Sequence, residues 1–313
     1  MTYSIVARDK KTGELGVAVQ SHFFSVGSIV TWARAGVGAV ATQAMVDVKY
    51  GPLGLELMSG GRSAPEALSA LLKADSNSAS RQVAMVDAKG RVAAHTGSKC
   101  LPNAGHVTGD GFSCQGNIMR NDRVWGAMKA SFERNNRLPL AERMVGALEA
   151  AEKAGGDIRG KQSSAILVVS PELKPTYWEG RLVELRVEDH PAPVPELKRL
   201  VRYQRGYEWA NKGDDFLTAK DYPKALDAYS KALSLVPEID ELKFWVGIGL
   251  LSSGRTEKGE QMLKEVIAKD RNWAEVTRGI AQVRSPAIAP EVLSRLLAAG
   301  SRASRKSQAA AKS

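Results

Sequence analysis

Thr2-Tyr3-Ser4-Ile5-Val6-Ala7-Arg8-Asp9-Lys10-Lys11-Thr12-Gly13-Glu14-Leu15-Gly16-Val17-Ala18-Val19-Gln20-Ser21-His22 lies at the head of the sequence. Two apolar-rich runs, 2–9 and 14–22, flank Asp9-Lys10-Lys11-Thr12-Gly13, a stretch with turn chemistry. That pattern predicts a β-hairpin. The same reading extends outward. Gly36 to Gln43 predicts a buried strand. Helices are expected near Leu53–Met58 and Pro65–Leu72, with Pro65 after Ser63 suiting a helix start. Gln82–Asp87 and Arg91–His95 flank Ala88-Lys89-Gly90 as a second hairpin, and Phe112–Asn117 predicts another strand. Asp122–Arg134 and Pro139–Ala154 read as helices, the second stopped by Gly155 and Gly156. Ser163–Ser170 is β-branched, with Thr176–Val187 as its partner. Hairpins dominate over strand–helix–strand alternation. The fold class is therefore α+β, with antiparallel sheets layered against helices rather than a Rossmann domain.

The chain has 313 residues, 43% of them hydrophobic and 25% charged, enough for two domains with their own cores. No apolar run approaches membrane-spanning length and the N-terminus lacks the pattern of a secretory signal. Cys100 and Cys114 form neither a metal-ligand pattern nor a disulfide framework, so a reducing cytoplasm is the expected compartment. The net charge is +10, but from Arg284 onward six basic residues face Glu291 alone. The segment 301–313 is rich in Ser, Ala, Lys and Arg and lacks aromatics. It reads as a dispensable, disordered basic tail rather than a nucleic-acid arm.

Glu188-Asp189-His190-Pro191-Ala192-Pro193-Val194-Pro195 carries three prolines in its last five residues and is read as a linker. The expected domains are 1–188, a linker at 189–195, a helical domain at 196–300 and the tail. In the helical part, Gly206, Trp209, Gly213, Phe216, Ala225, Tyr229, Ala232 and Pro237 fall at the large, small and proline positions of one repeat unit. Gly247, Leu250, Gly259, Leu263 and Ile267 take equivalent places in a weaker second unit. This part resembles tetratricopeptide repeats, with Lys212 departing from the usual leucine. Residues 206–237 are expected to form one antiparallel helix pair. Residues 195–205 and 273–298 would supply flanking helices.

Thr2 follows Met1 and is small enough for an aminopeptidase to remove that methionine. A strand would then open with an α-amine beside a hydroxyl, so one residue carries both base and nucleophile. The amine has a pKa of about 8 and is partly available as a base near neutrality. Alternatively, Thr2 is an ordinary strand residue.

Further stretches set these residues in context. They are Trp32-Ala33-Arg34-Ala35-Gly36-Val37-Gly38-Ala39-Val40-Ala41-Thr42-Gln43-Ala44, Tyr50-Gly51-Pro52-Leu53-Gly54, Gln115-Gly116-Asn117 and Gly156-Asp157-Ile158-Arg159-Gly160-Lys161-Gln162-Ser163. Together with the opening hairpin, they resemble the family catalogued as domain of unknown function 1028 over residues 1–188. The resemblance implies membership of the N-terminal nucleophile hydrolases. Their fold is a four-layer αββα sandwich of two antiparallel sheets between helices, often with an additional C-terminal module.

The expected catalytic set is Thr2, Asn117 and Ser4. Ser4 faces the same side of a strand as Thr2 and either orients the α-amine or is a core hydroxyl. Asn117 follows Gly116 and either stabilises an oxyanion or serves the turn. Supporting residues are Ser21, His22, Gln43, Asp157, Arg159, Gln162 and Ser163. In the family a basic residue stands where His22 does; histidine, unlike lysine, titrates near neutrality. Gln43 is a lone amide ending an apolar strand. Asp157 and Arg159 can brace each other and a substrate carboxylate, or form a loop salt bridge. His95, His106 and His190 have no partner at ligand spacing, so no metal is expected, and no cofactor. The expected activity is an N-terminal-threonine amidohydrolase cleaving an amide C–N bond in a small molecule or peptide. The alternative is a non-catalytic scaffold that binds a protein partner through the repeats. A homo-oligomer is expected, with no membrane or nucleic-acid partner.

Overall fold

The computed structural model describes residues 2–283 and 288–298. Met1 and the basic tail from Ser301 lie outside the described residues. The chain divides into two compact units, one ending at Val201 and a second from Arg202 onward.

In the first unit, β1 (Thr2–Arg8) and β2 (Leu15–Ser21) form the expected hairpin, paired from Tyr3↔Gln20 to Arg8↔Leu15. Its turn is built by Asp9. The Asp9 carboxylate accepts from Lys11 N and Thr12 N at 2.8 and 2.9 Å, and Gly13 takes φ 76° to close the loop. β1 also pairs with β8 (Phe112–Asn117), and β2 with β9 (Ser163–Val169). With β10 (Arg181–Val187) and β7 (Gly105–Gly109) these strands make one antiparallel sheet in the order β10-β9-β2-β1-β8-β7. β3 (Thr31–Arg34), β4 (Gly38–Ala44), β5 (Arg81–Asp87) and β6 (Val92–Thr96) make a second antiparallel sheet in that order. A short helix, α1 (Gly27–Val30), leads into β3.

Three apolar cores follow from the period-2 alternation of these strands. Tyr3, Ile5, Ala7 and Cys114 turn one way, against Met128, Phe132, Met144 and Leu148 of α4 (Val124–Arg134) and α5 (Leu140–Lys153). Val6, Val17 and Val19 turn the other way and meet Ala39, Ala41, Ala84 and Val86 of the second sheet. The outer face of that sheet, with Val40, Val83 and Met85, packs on α2 (Tyr50–Ser59) and α3 (Ala64–Ala74). Ser63 caps α3 in a reciprocal arrangement with Glu66.

Three features depart from the sequence reading. β3 and β7 are short, partly exposed edge strands with few large apolar residues. The α1 helix has a single turn. The proline-rich stretch expected as a linker to Pro195 instead enters a helix at Pro193, since α6 spans Pro193–Thr218. Pro193 and Pro195 occupy its first turn, where backbone N–H groups have no intrahelical partner to lose.

The second unit is helical: the latter part of α6, α7 (Tyr222–Leu235), α8 (Asp240–Ser252), α9 (Thr256–Lys269) and α10 (Asn272–Val283), followed by a helix at 290–298. Glycines set two close helix approaches. A Cβ on Gly206 would lie 2.4 Å from Val236, and one on Gly213 would lie 2.3 Å from the Tyr229 ring. The two contacts run in opposite directions along α6 and α7, so these helices are antiparallel. Likewise Gly247 on α8 faces Gly259 and Leu263 on α9. Gly213→Ala therefore forces the Tyr229 ring and its 2.6 Å hydrogen bond to Asp214 out of place. It is expected to cost about 1–3 kcal/mol, as overpacking does. A urea titration that follows helix loss checks this, and an unchanged midpoint contradicts the packing.

Candidate functional site

Where β1 begins, the interior between the two sheets changes from apolar to polar. Thr2, Ser4 and Ser21 face the second sheet, as do Ser113, Gln115 and Asn117 at alternate positions of β8. Register places Thr2 opposite Asn117 and Ser4 opposite Gln115. Gln43 on β4 and Gln82 on β5, themselves register partners, reach across from the other side.

These side chains form one hydrogen-bonded network. The Thr2 hydroxyl donates to Ser21 Oγ at 3.1 Å. The Thr2 carbonyl accepts from Gln43 Nε2 at 3.1 Å and from Asn117 Nδ2 at 3.4 Å. Gln43 and Asn117 also donate to Gln82 Oε1, at 2.7 and 2.9 Å. The Gln82 amide in turn donates to the Gly116 carbonyl at 2.8 Å, with the Thr96 hydroxyl and Gly105 carbonyl at 3.0 and 3.1 Å. Ser4 donates to Gln43 Oε1 and accepts from Gln115 Nε2, both at 2.7 Å, and Ser113 donates to Gln115 Oε1 at 2.8 Å. All eight residues are at most 4% exposed. Polar groups so deeply buried are tolerated because they are mutually satisfied.

The network is uncharged. Ser21, Gln43 and Asn117, which hold Thr2, cannot take a proton from its hydroxyl near neutral pH. The chain leaves two of the network strands through strained backbone. Ala44 follows Gln43 at φ 69°, and Ile118 follows Asn117 at φ 54°. A β-branched residue rarely takes that conformation, and such strain gathers at functional sites. These two residues line, with Asn117, Met45, Cys100 and Leu101, a cleft of about 150 Å³. Thr2 itself does not reach its wall. Burial pushes the Cys100 thiol above its ordinary range, away from thiolate reactivity.

The remaining candidates lie at the end of β2. The Asp157 carboxylate accepts from His22 N at 3.1 Å and from Arg159 Nη2 at 2.9 Å, so it ties the 157–162 loop to that strand end. Gln162 N donates to the Ser21 carbonyl, also at 3.1 Å. Ser163 is fully buried; its Oγ donates to the Phe23 carbonyl at 2.5 Å and accepts from Val26 N at 3.0 Å. Thr2, Ser4, Ser21, Gln43 and Asn117 thus fall in one network, and the others brace the neighbouring loop. Sequence reasoning missed Gln82, Ser113 and Gln115. The signal was present: Ser113, Gln115 and Asn117 stand at i, i+2 and i+4 of a strand, which puts three polar groups on one face. Among the described residues, no group of three or more His, Cys, Asp or Glu side chains is placed to hold a metal ion. No helix among them is long and apolar enough to cross a membrane.

Two antiparallel sheets packed face to face between helices, with a neutral polar network at the head of β1, define a mixed α/β domain followed by a helical region. The chain belongs to the DUF1028 family, a family of unknown function, whose model matches residues 2–197. A DUF1028 protein of known structure from Silicibacter pomeroyi is 32% identical, with a TM-score of 0.58 over 64% of this chain and 88% of that one. The ancestral β-subunit Anbu of Yersinia bercovieri is 12% identical, with a TM-score of 0.31 over 63% of this chain and 92% of its own. No curated protein is similar to this chain.

Proposed function

We propose that the first unit is an N-terminal-threonine amidohydrolase and that its layering is the αββα sandwich of the N-terminal nucleophile hydrolases. Removal of Met1 frees the Thr2 α-amine. The amine takes the hydroxyl proton as Oγ1 attacks the carbonyl carbon of an amide substrate. The tetrahedral intermediate collapses with cleavage of the C–N bond, and the amine returns its proton to the leaving nitrogen. Water, deprotonated by the same amine, then hydrolyses the acyl-threonine ester. Ser21 orients the hydroxyl. Gln43 and Asn117 fix the Thr2 carbonyl and hence the backbone that carries the nucleophile. The 3.4 Å contact from Asn117 to that carbonyl is the longest in the network and the one most readily exchanged for a substrate oxyanion.

One observation carries this reading. At the head of a central strand the Thr2 hydroxyl donates to the uncharged Ser21 hydroxyl, while the uncharged amides of Gln43 and Asn117 hold the Thr2 carbonyl. A hydroxyl so placed lacks a side-chain base among those partners, and its own amine fills that role. The test is a screen of small linear and cyclic amides against the wild-type chain and Thr2→Ala. Turnover of any amide by the wild type alone supports the assignment; equal turnover by both contradicts it.

A second reading applies to the helical unit. The glycine-set approaches of α6 to α7 and of α8 to α9 support two tetratricopeptide-like units that bind a peptide or protein partner. Retention of Met1 on the purified chain would favour this binding role over catalysis.

A further inference from the structure

The face of the hairpin opposite Thr2 carries a second polar cluster, and this one is not satisfied. Tyr3 and Gln20 are register partners on β1 and β2, and both are wholly buried. Their side chains point towards α5, where Glu152 stands. The Tyr3 hydroxyl, both polar atoms of the Gln20 amide and Glu152 Oε1 have no hydrogen-bond partner. Burial first, then the Glu152 charge and an approach to that carboxylate that falls short of hydrogen-bond geometry, hold the Tyr3 phenol well above its ordinary pKa, so it stays a neutral donor.

These atoms line a cavity of about 320 Å³ beneath the 155–161 loop. Lys161 already occupies the other Glu152 oxygen at 2.8 Å, and Arg159 is paired with Asp157 at 2.9 Å. Arg120, exposed on the rim, has no ion pair among the described residues. A buried polar atom left without a partner is destabilising, and four around one cavity call for an occupant.

We propose that this cavity binds a small molecule through a primary carboxamide or ureido group, with an anionic tail directed at Arg120. The complementarity is atom for atom. The two N–H bonds of such a group meet two acceptors, Gln20 Oε1 and Glu152 Oε1. Its carbonyl oxygen has two lone pairs for two donors, Gln20 Nε2 and the Tyr3 hydroxyl. An ammonium would meet the same acceptors but add a second cation beside Glu152 and leave the Gln20 donors unused. A carboxylate would use the donors and face Glu152. The site lies on the opposite face of the sheet from Thr2, and its existence does not depend on the catalytic reading.

Calorimetric titration of the full chain with succinamate, which carries a primary amide and a carboxylate, tests this. Monomethyl succinate, which keeps the carbonyl and loses the N–H donors, is the control. Succinamate should bind saturably and monomethyl succinate about tenfold or more weakly. Gln20→Leu removes two unpaired buried atoms, so it should fold at least as stably as the wild type and lose succinamate binding. Arg120→Ala, at an exposed position, should bind succinamate no better than propionamide, and Thr2→Ala should bind it as the wild type does. No saturable binding would mean that the cavity holds water only, and would overturn the proposal. Equal binding of the ester, or binding that survives Gln20→Leu, would overturn it as well.

Discussion

Thr2→Ala is expected to abolish amide turnover while leaving the fold in place. If the hydroxyl is the nucleophile, its removal leaves no acyl acceptor. The loss should be on the order of 10⁴-fold or more, as for nucleophile deletions generally. The structural cost is small. The side chain makes one hydrogen bond, to Ser21, and the Gln43 and Asn117 contacts go to the backbone carbonyl, which alanine retains. Losing that one bond costs about 1 kcal/mol, or about 2–4 °C in melting temperature for a domain of this size. Activity against an amide turned over by the wild type, together with a thermal melt, checks both halves. An active variant refutes the mechanism. A variant that is inactive because it has melted assigns Thr2 to structure.

Gln82→Met should have the opposite profile, with a large loss of stability and the loss of the site as a consequence. Gln82 is the hub at which both sheets meet. Its oxygen accepts from Gln43 and Asn117, and its amide donates to the Gly116 carbonyl. Methionine keeps the approximate volume and removes these bonds together with those from the amide to the Thr96 hydroxyl and the Gly105 carbonyl, leaving buried donors and acceptors unpaired. Each orphaned group costs about 1–3 kcal/mol, so the total should be about 3 kcal/mol or more, with a fall in melting temperature of about 6–12 °C. Gln43 and Asn117 lose their common anchor, so turnover should fall as well. Chemical denaturation with an unchanged slope measures the effect. A change below about 1 kcal/mol would show that the network contributes little.

The turn chemistry of Asp9 to Gly13 was enough to read the first hairpin, because a hairpin is specified locally. Ala88-Lys89-Gly90 gave the second for the same reason, with Gly90 at φ 80°. The sheet order was not legible. β9 lies beside β2 and β8 beside β1, and such long-range pairings leave no periodic trace in either partner. β3 and β7 escaped because edge strands need little apolar alternation. Pro193 and Pro195 were misread as linker because proline excludes itself from helix interiors and not from first turns. In the site, Thr2, Ser4, Ser21, Gln43 and Asn117 stood out as polar residues at strand ends. Gln115 becomes legible only when it is set beside Ser113 and Asn117 on one strand face, and Gln82, just after Arg81 at the start of β5, is explained by its partners across the sheets. Gln20 was the least legible. Its alternation puts it on the helix-facing side, where a buried amide has no local cause.

The central claim is that Thr2 acts as an N-terminal nucleophile, and it is tested most directly by tandem mass spectrometry of the N-terminal peptide after exposure to a β-lactone. Ring opening by a hydroxyl nucleophile leaves the acyl group attached without a leaving group. The account predicts a peptide that begins at Thr2 and carries the adduct on that residue, with no adduct in Thr2→Ala. A peptide that still begins at Met1, or an adduct that persists in Thr2→Ala, would contradict it.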